Sequence, residues 1–195
     1  MVLASGAANA AGTILVFGDS ISAAYGLAQK DGWVALLGER LRERKLDYNV
    51  ANASISGETT AGGAARIDEA LARWKPEVVI VALGGNDGLR GLQVSQLKAN
   101  LTRMVSASKA TKARVLLVGM RMPPNYGPRY TREFEEAFAA VAKAENVPLV
   151  PFLLDGIGEK RELFQADNIH PTAAAQRIIL DTVWKGLEPL LRKAR

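Results

Sequence analysis

The chain has 195 residues, 48% hydrophobic and 23% charged, which is long for one small domain and short for two, so one globular domain is expected. It has no cysteine, which excludes disulfides, thiolate metal sites and cysteine nucleophiles. The formal charge is +5, but outside ERLRERK (39–45) and the closing RKAR the basic residues are scattered, with no nucleic-acid signature, so they are expected to decorate helix surfaces.

Residues 1–12, MVLASGAANAAG, are small, uncharged and without period. Ala8-Asn9-Ala10 resembles an A-x-A cleavage site, though no basic segment precedes it. This stretch is expected to be disordered, a signal-peptide remnant or an appended tail, and the protein to be periplasmic or secreted. No run approaches the roughly 20 apolar residues of a membrane span, so stable membrane insertion is not expected.

From residue 13 the pattern alternates. Strand-like runs are TILVF (13–17), YNVAN (48–52), VVIVAL (78–83), RVLLVGM (114–120) and PLVPF (148–152). Between them apolar residues recur at helical spacing: Trp33, Leu36, Leu37 and Leu41, then Phe134, Ala137, Phe138 and Val141. A last helix carries Ala175, Ile178, Ile179 and Val183, with Pro171 placed to open its first turn. Buried strands alternating with helices predict a five-stranded parallel sheet in a three-layer α/β/α domain.

Several of these strands run into unusual chemistry. The first ends in Gly18-Asp19-Ser20, the second runs into NASISGET (52–59), the third into GGND (84–87), and the fifth leads on to QADNIHP (165–171). In a parallel sheet all these tips share the carboxyl edge, where ligands bind.

His170 is the only histidine, and a general base near neutral pH is most simply an imidazole. Asp167 lies three residues before it, close enough to orient the ring and leave Nε2 free. DNIHPT also reads as a helix start, and the two readings are compatible. Ser20 is a candidate nucleophile, although Gly-Asp-Ser is equally good turn chemistry and the G-x-S-x-G elbow is absent. Acyl transfer also needs oxyanion donors; the candidates are the Ser20 N–H, the Gly57 N–H and the Asn86 amide.

GDS with Ser20, SG with Gly57, GGND with Asn86 and DxxHP with Asp167 and His170 resemble, in order, the four motif blocks of the SGNH (GDSL-type) hydrolases. NASISGET, LGGNDGLRG and RMPPNYGPRY are similar to the bacterial thioesterase, lysophospholipase and arylesterase branch of that family. The resemblance runs from about residue 13 to 190. It implies a flavodoxin-like α/β/α fold in one domain over 13–195 and a Ser20–His170–Asp167 triad. It also implies an oxyanion hole of Ser20, Gly57 and Asn86, and hydrolysis of acyl esters and thioesters.

No metal or cofactor is expected, since neither HExxH nor a histidine cluster occurs. The expected partner is a small-molecule acyl ester or thioester, and the chain is expected to be a monomer. Loops DGLRGLQ (87–93) and RMPPNYGPRY (121–130) should flank the site, with Leu89, Leu92, Met122, Pro123 and Tyr126 forming an apolar groove. Asp19 and Ile169, the chain neighbours of Ser20 and His170, are assigned to the same substrate site. The competing reading is a flavodoxin-like flavin- or phosphate-binding module built on the hydroxyl-rich GDSIS loop; neither GxGxxG nor GxxxxGK[ST] occurs, and it leaves Asp167 and His170 unused.

Overall fold

The computed structural model describes residues 11–191. Five strands form one parallel sheet: β1 (Gly12–Gly18), β2 (Tyr48–Asn52), β3 (Val78–Ala82), β4 (Arg114–Val118) and β5 (Leu149–Val150). Their order is β2-β1-β3-β4-β5. Ile14–Phe17 and Val78–Val81 are fully buried, as strands covered by helices on both faces must be. The helices are α1 (Trp33–Glu43), α2 (Thr60–Trp74), the short α3 (Gly85–Leu89), α4 (Val94–Ala110), α5 (Pro128–Glu145) and α6 (Gln176–Leu187). α2, α4 and α5 pack side by side on one face, and α1 pairs with α6 on the other.

From β1 the chain moves outward to β2, then returns past β1 to β3. The carboxyl ends of β1 and β3 therefore flank the switch point, the crevice where open α/β sheets take ligands. Ser20 follows β1 and Asn86 follows β3, so topology alone brings these two loops together.

Three expectations shift. The first strand begins at Gly12, paired with Tyr48, one residue inside the stretch assigned to the tail. The rest of the signal-peptide expectation, residues 1–10, and the closing RKAR lie outside the described residues. β5 pairs over two residues only, because Pro148 and Pro151 flank it without N–H donors. Pro171 does not open the last helix: it forms an antiparallel bridge with Phe164, and α6 starts at Gln176 after a 3-10 turn at Ala173–Ala175. The His170 carbonyl and the Thr172 N–H are committed to Gln165 and Leu163, which keeps this segment extended past the histidine.

Candidate active site

β1 ends at Gly18 and the chain turns at once. Asp19 accepts the Ile21 N–H on its carboxylate at 3.1 Å and the Ala23 N–H on its carbonyl at 2.9 Å, which closes the turn around Ser20. Ser20 Oγ lies 2.8 Å from His170 Nε2, across 150 residues of sequence. On the far side of the ring, Nδ1 lies 2.6 Å from Asp167 Oδ2. The other carboxylate oxygen, Oδ1, accepts the main-chain N–H groups of Ile169 at 2.9 Å and His170 at 3.0 Å. One oxygen thus shapes the loop while the other orients the ring. These bonds hold the Asp167 carboxyl down to about 2, with the His170 main-chain N–H the largest cause, the His170 ring next and the Ile169 N–H after that.

The turn after β2 continues along β1: Ala53 N–H donates to Val16 at 2.9 Å and Ile55 N–H to Gly18 at 3.0 Å. Gly57 then takes φ 78°, a conformation that favours glycine. Asn86 stands in the first turn of α3, and its Nδ2 donates to the Glu58 carbonyl at 3.0 Å. Arg90 Nη2 donates to the Gly57 carbonyl at 2.8 Å. Below them Asp87 is buried and accepts the Thr60 N–H at 2.8 Å and the Thr60 hydroxyl at 2.5 Å, while Asn100 Nδ2 donates to that hydroxyl at 3.1 Å. The Gly57 turn and the Asn86 helix are therefore braced against each other by the side chains of Asn86, Arg90, Asp87 and Thr60, with Asn100 supporting Thr60.

Ser20, His170, Asn86 and Asp19 line one cavity of about 530 Å³, within the usual range of small-molecule sites. Its wall is largely apolar. Leu89, Met122, Pro123 and Ile169 line it. Leu92 and Tyr126 do not. Leu92 is exposed, and Tyr126 acts through its neighbour, its hydroxyl donating to the carbonyl of the lining residue Leu89 at 3.0 Å. Gly57 is also absent from the lining and borders the site through the Glu58–Asn86 bond. Sequence reading missed the apolar lining residues Ile21, Met120, Phe152, Leu154 and Phe164, from the loops after β1, β4 and β5, and the charged Arg121 and Glu159. For Phe152 the available signal was Pro151, which lacks an N–H and follows the last strand residue, Val150, so that the phenylalanine falls in the loop at the sheet's carboxyl edge.

Asp19 is almost wholly buried, and burial pushes its carboxyl up to about 6, against the lowering effects of the Ile21 N–H and His170. A phosphate cradle in this loop would have to accept that carboxyl beside the anion, with the Ser20 hydroxyl already engaged by His170.

A serine hydroxyl, an imidazole and a carboxylate in hydrogen-bonded sequence, at the carboxyl edge of a parallel sheet, define a serine-hydrolase type of site. The GDSL-like lipase/acylhydrolase family model matches residues 16–178. Esterase TesA of Pseudomonas aeruginosa is 54% identical over 93% of this chain and 90% of its own length. Thioesterase 1/protease 1/lysophospholipase L1 of Escherichia coli is 41% identical over 98% of this chain and 90% of its own. The crystal structure of the psychrotrophic esterase EstA from Pseudoalteromonas sp., inhibited by monoethylphosphonate, superposes with a TM-score of 0.87 at 41% identity, covering 91% of this chain and 97% of that one. The chain belongs to the GDSL-like lipase/acylhydrolase family and is a carboxylic ester hydrolase.

Proposed function

We propose that the protein hydrolyses acyl esters and acyl thioesters, among them aryl esters, acyl-CoA and lysophospholipids, through an acyl-Ser20 intermediate. The observation that carries this is the row Ser20 Oγ, His170 Nε2, His170 Nδ1, Asp167 Oδ2, with contacts of 2.8 and 2.6 Å at the edge of an apolar cavity. His170 Nε2 takes the hydroxyl proton as Oγ bonds to the carbonyl carbon, and the carbonyl π pair moves onto oxygen. The Ser20 N–H, the Gly57 N–H and the Asn86 amide are assigned to that oxyanion. The imidazolium then gives its proton to the leaving alcohol or thiol as the carbon–oxygen or carbon–sulfur bond breaks. Water repeats the cycle: its oxygen bonds to the acyl carbon as His170 takes its proton, then the acyl carbon–Ser20 bond breaks to release the carboxylic acid and the proton returns to Oγ. The cycle calls on no metal or cofactor.

The apolar wall is read as the acyl site, and the relatives named esterase and thioesterase/lysophospholipase support both leaving groups. Among the described residues no helix is long and apolar enough to cross a membrane. A periplasmic or secreted location belongs to the proposal and rests on the Ala8-Asn9-Ala10 stretch. A monomer is also proposed, because one chain supplies every residue of the site.

The test is a panel of p-nitrophenyl esters and acyl-CoAs of rising chain length. Each added methylene that enters the cavity should raise kcat/KM about fourfold, from ~0.8 kcal/mol of burial, until the cavity is full. Rates independent of chain length would remove the acyl-site assignment. A Ser20→Ala chain with undiminished turnover would remove the mechanism.

A further inference from the structure

Tyr25 is an aromatic residue left 52% exposed five residues after a buried serine. Its ring centroid lies 4.4 Å from that of His170, with the planes tilted by 36°. Three independent bonds fix this placement. The Tyr25 N–H donates to the Ser20 carbonyl at 3.0 Å, so the residue is positioned by the same turn that presents the hydroxyl. The Tyr25 carbonyl accepts from Gln165 Nε2 at 2.9 Å. The main-chain N–H of that same Gln165 donates to the His170 carbonyl at 2.8 Å. One glutamine thus ties the backbone of the tyrosine to the backbone of the histidine.

The local backbone is bent to allow it. Ala24 has φ 58°, a region non-glycine residues rarely adopt. Gly26 has φ 75°, and a Cβ there would collide with Gln165 Oε1. The ring keeps about half its surface exposed, and this turn sets its buried half against the imidazole.

We propose that Tyr25 is a positioning residue for acyl transfer: its ring covers one face of the His170 imidazole, resists its rotation, and stabilises the imidazolium formed when Nε2 takes the Ser20 proton. An aromatic face attracts a cation more than a neutral ring, so the contact strengthens as the proton arrives. An interaction that grows toward the transition state raises kcat and leaves substrate binding alone. Asp167 acts on the edge of the same ring, through Nδ1, and Tyr25 acts on its face. This inference rests on the reading of His170 as the base.

The experiment compares Tyr25→Phe, Tyr25→Leu and Tyr25→Ala on a soluble p-nitrophenyl ester, with Tm recorded for each. Phenylalanine keeps the aromatic face, and its kcat should stay within about twofold of wild type. Leucine keeps apolar cover without the π face; kcat should fall about fivefold with KM unchanged. Alanine removes both and should fall further. A fully active leucine variant overturns the role, as does a loss that phenylalanine shares or one confined to KM. Fluorophosphonate labelling of Ser20 in the wild-type chain keeps the two ideas apart. A chain labelled there but indifferent to Tyr25→Leu loses only the Tyr25 role, whereas a chain not labelled there loses the triad.

Discussion

Asp167 holds His170 twice, with a different carboxylate oxygen each time: Oδ1 takes the main-chain N–H at 3.0 Å and Oδ2 faces ring Nδ1 at 2.6 Å. Asparagine can keep the first bond and reverses the second. Its Oδ1 still accepts the backbone N–H groups, while its Nδ2 presents a donor to Nδ1. That donor favours the tautomer with the proton on Nε2, which cannot accept from Ser20. Asp167→Asn should therefore fold normally and lose kcat by on the order of a thousandfold or more, with KM little changed. Near wild-type kcat in this variant, read by steady-state kinetics, would contradict the triad.

Asn86 predicts a loss of a different size. Removing one preorganised oxyanion donor lowers kcat by about 100- to 1000-fold. Asn86→Ala also frees the Glu58 carbonyl, so Tm should be recorded alongside. A rise in KM with kcat intact would make Asn86 a binding contact instead.

Asp19 makes stability depend on pH. Its folded value of about 6 lies above the unfolded 3.8, so the fold favours the protonated acid. The stability it contributes is fully present below pH 3.8 and is lost as pH rises through about 6. Two pKa units correspond to on the order of 3 kcal/mol for this buried group. Asp19→Asn keeps an acceptor for the Ile21 N–H and removes the ionisation. Thermal melts should show a gain in Tm at pH 8 that disappears by pH 4; a gain independent of pH would rule out this cause.

The brace behind Asn86 should be a stability element. Asp87→Ala leaves the buried Thr60 N–H without its acceptor and removes the carboxylate that takes the Thr60 hydroxyl. An orphaned buried group costs ~1–3 kcal/mol, and each kcal/mol moves Tm by about 2–4 °C in a domain of this size. A drop of roughly 5–10 °C is expected by calorimetry. An unchanged Tm would show that water satisfies Thr60 in place of Asp87.

Much of this was legible in the residues. Ile14–Phe17 and Val78–Val81 read as doubly covered strands because they are apolar without alternation, and they are buried on both faces. Ser20 and Asn86 could be placed on one edge because parallel strands put their tips together. The cavity wall was less legible. Leu92 and Tyr126 share loops with true lining residues, but which way a loop side chain points depends on bonds such as Tyr126 to Leu89, which have no local signature. Pro171 read as a helix opener because that is where proline fits best by local propensity. Its bridge to Phe164 is a pairing across seven residues that propensity does not register. Tyr25 has no sequence signal for a similar reason: its partner His170 lies 145 residues away, and only the folded turn brings them together.

Ser20 as the nucleophile is tested most directly by reacting the native protein with a fluorophosphonate and mapping the label by peptide mass spectrometry. The probe should add once, at Ser20, and a folded Ser20→Ala chain should take up none. Stoichiometric label on Ser22, Ser54 or Ser56, or undiminished labelling of Ser20→Ala, would contradict the mechanism.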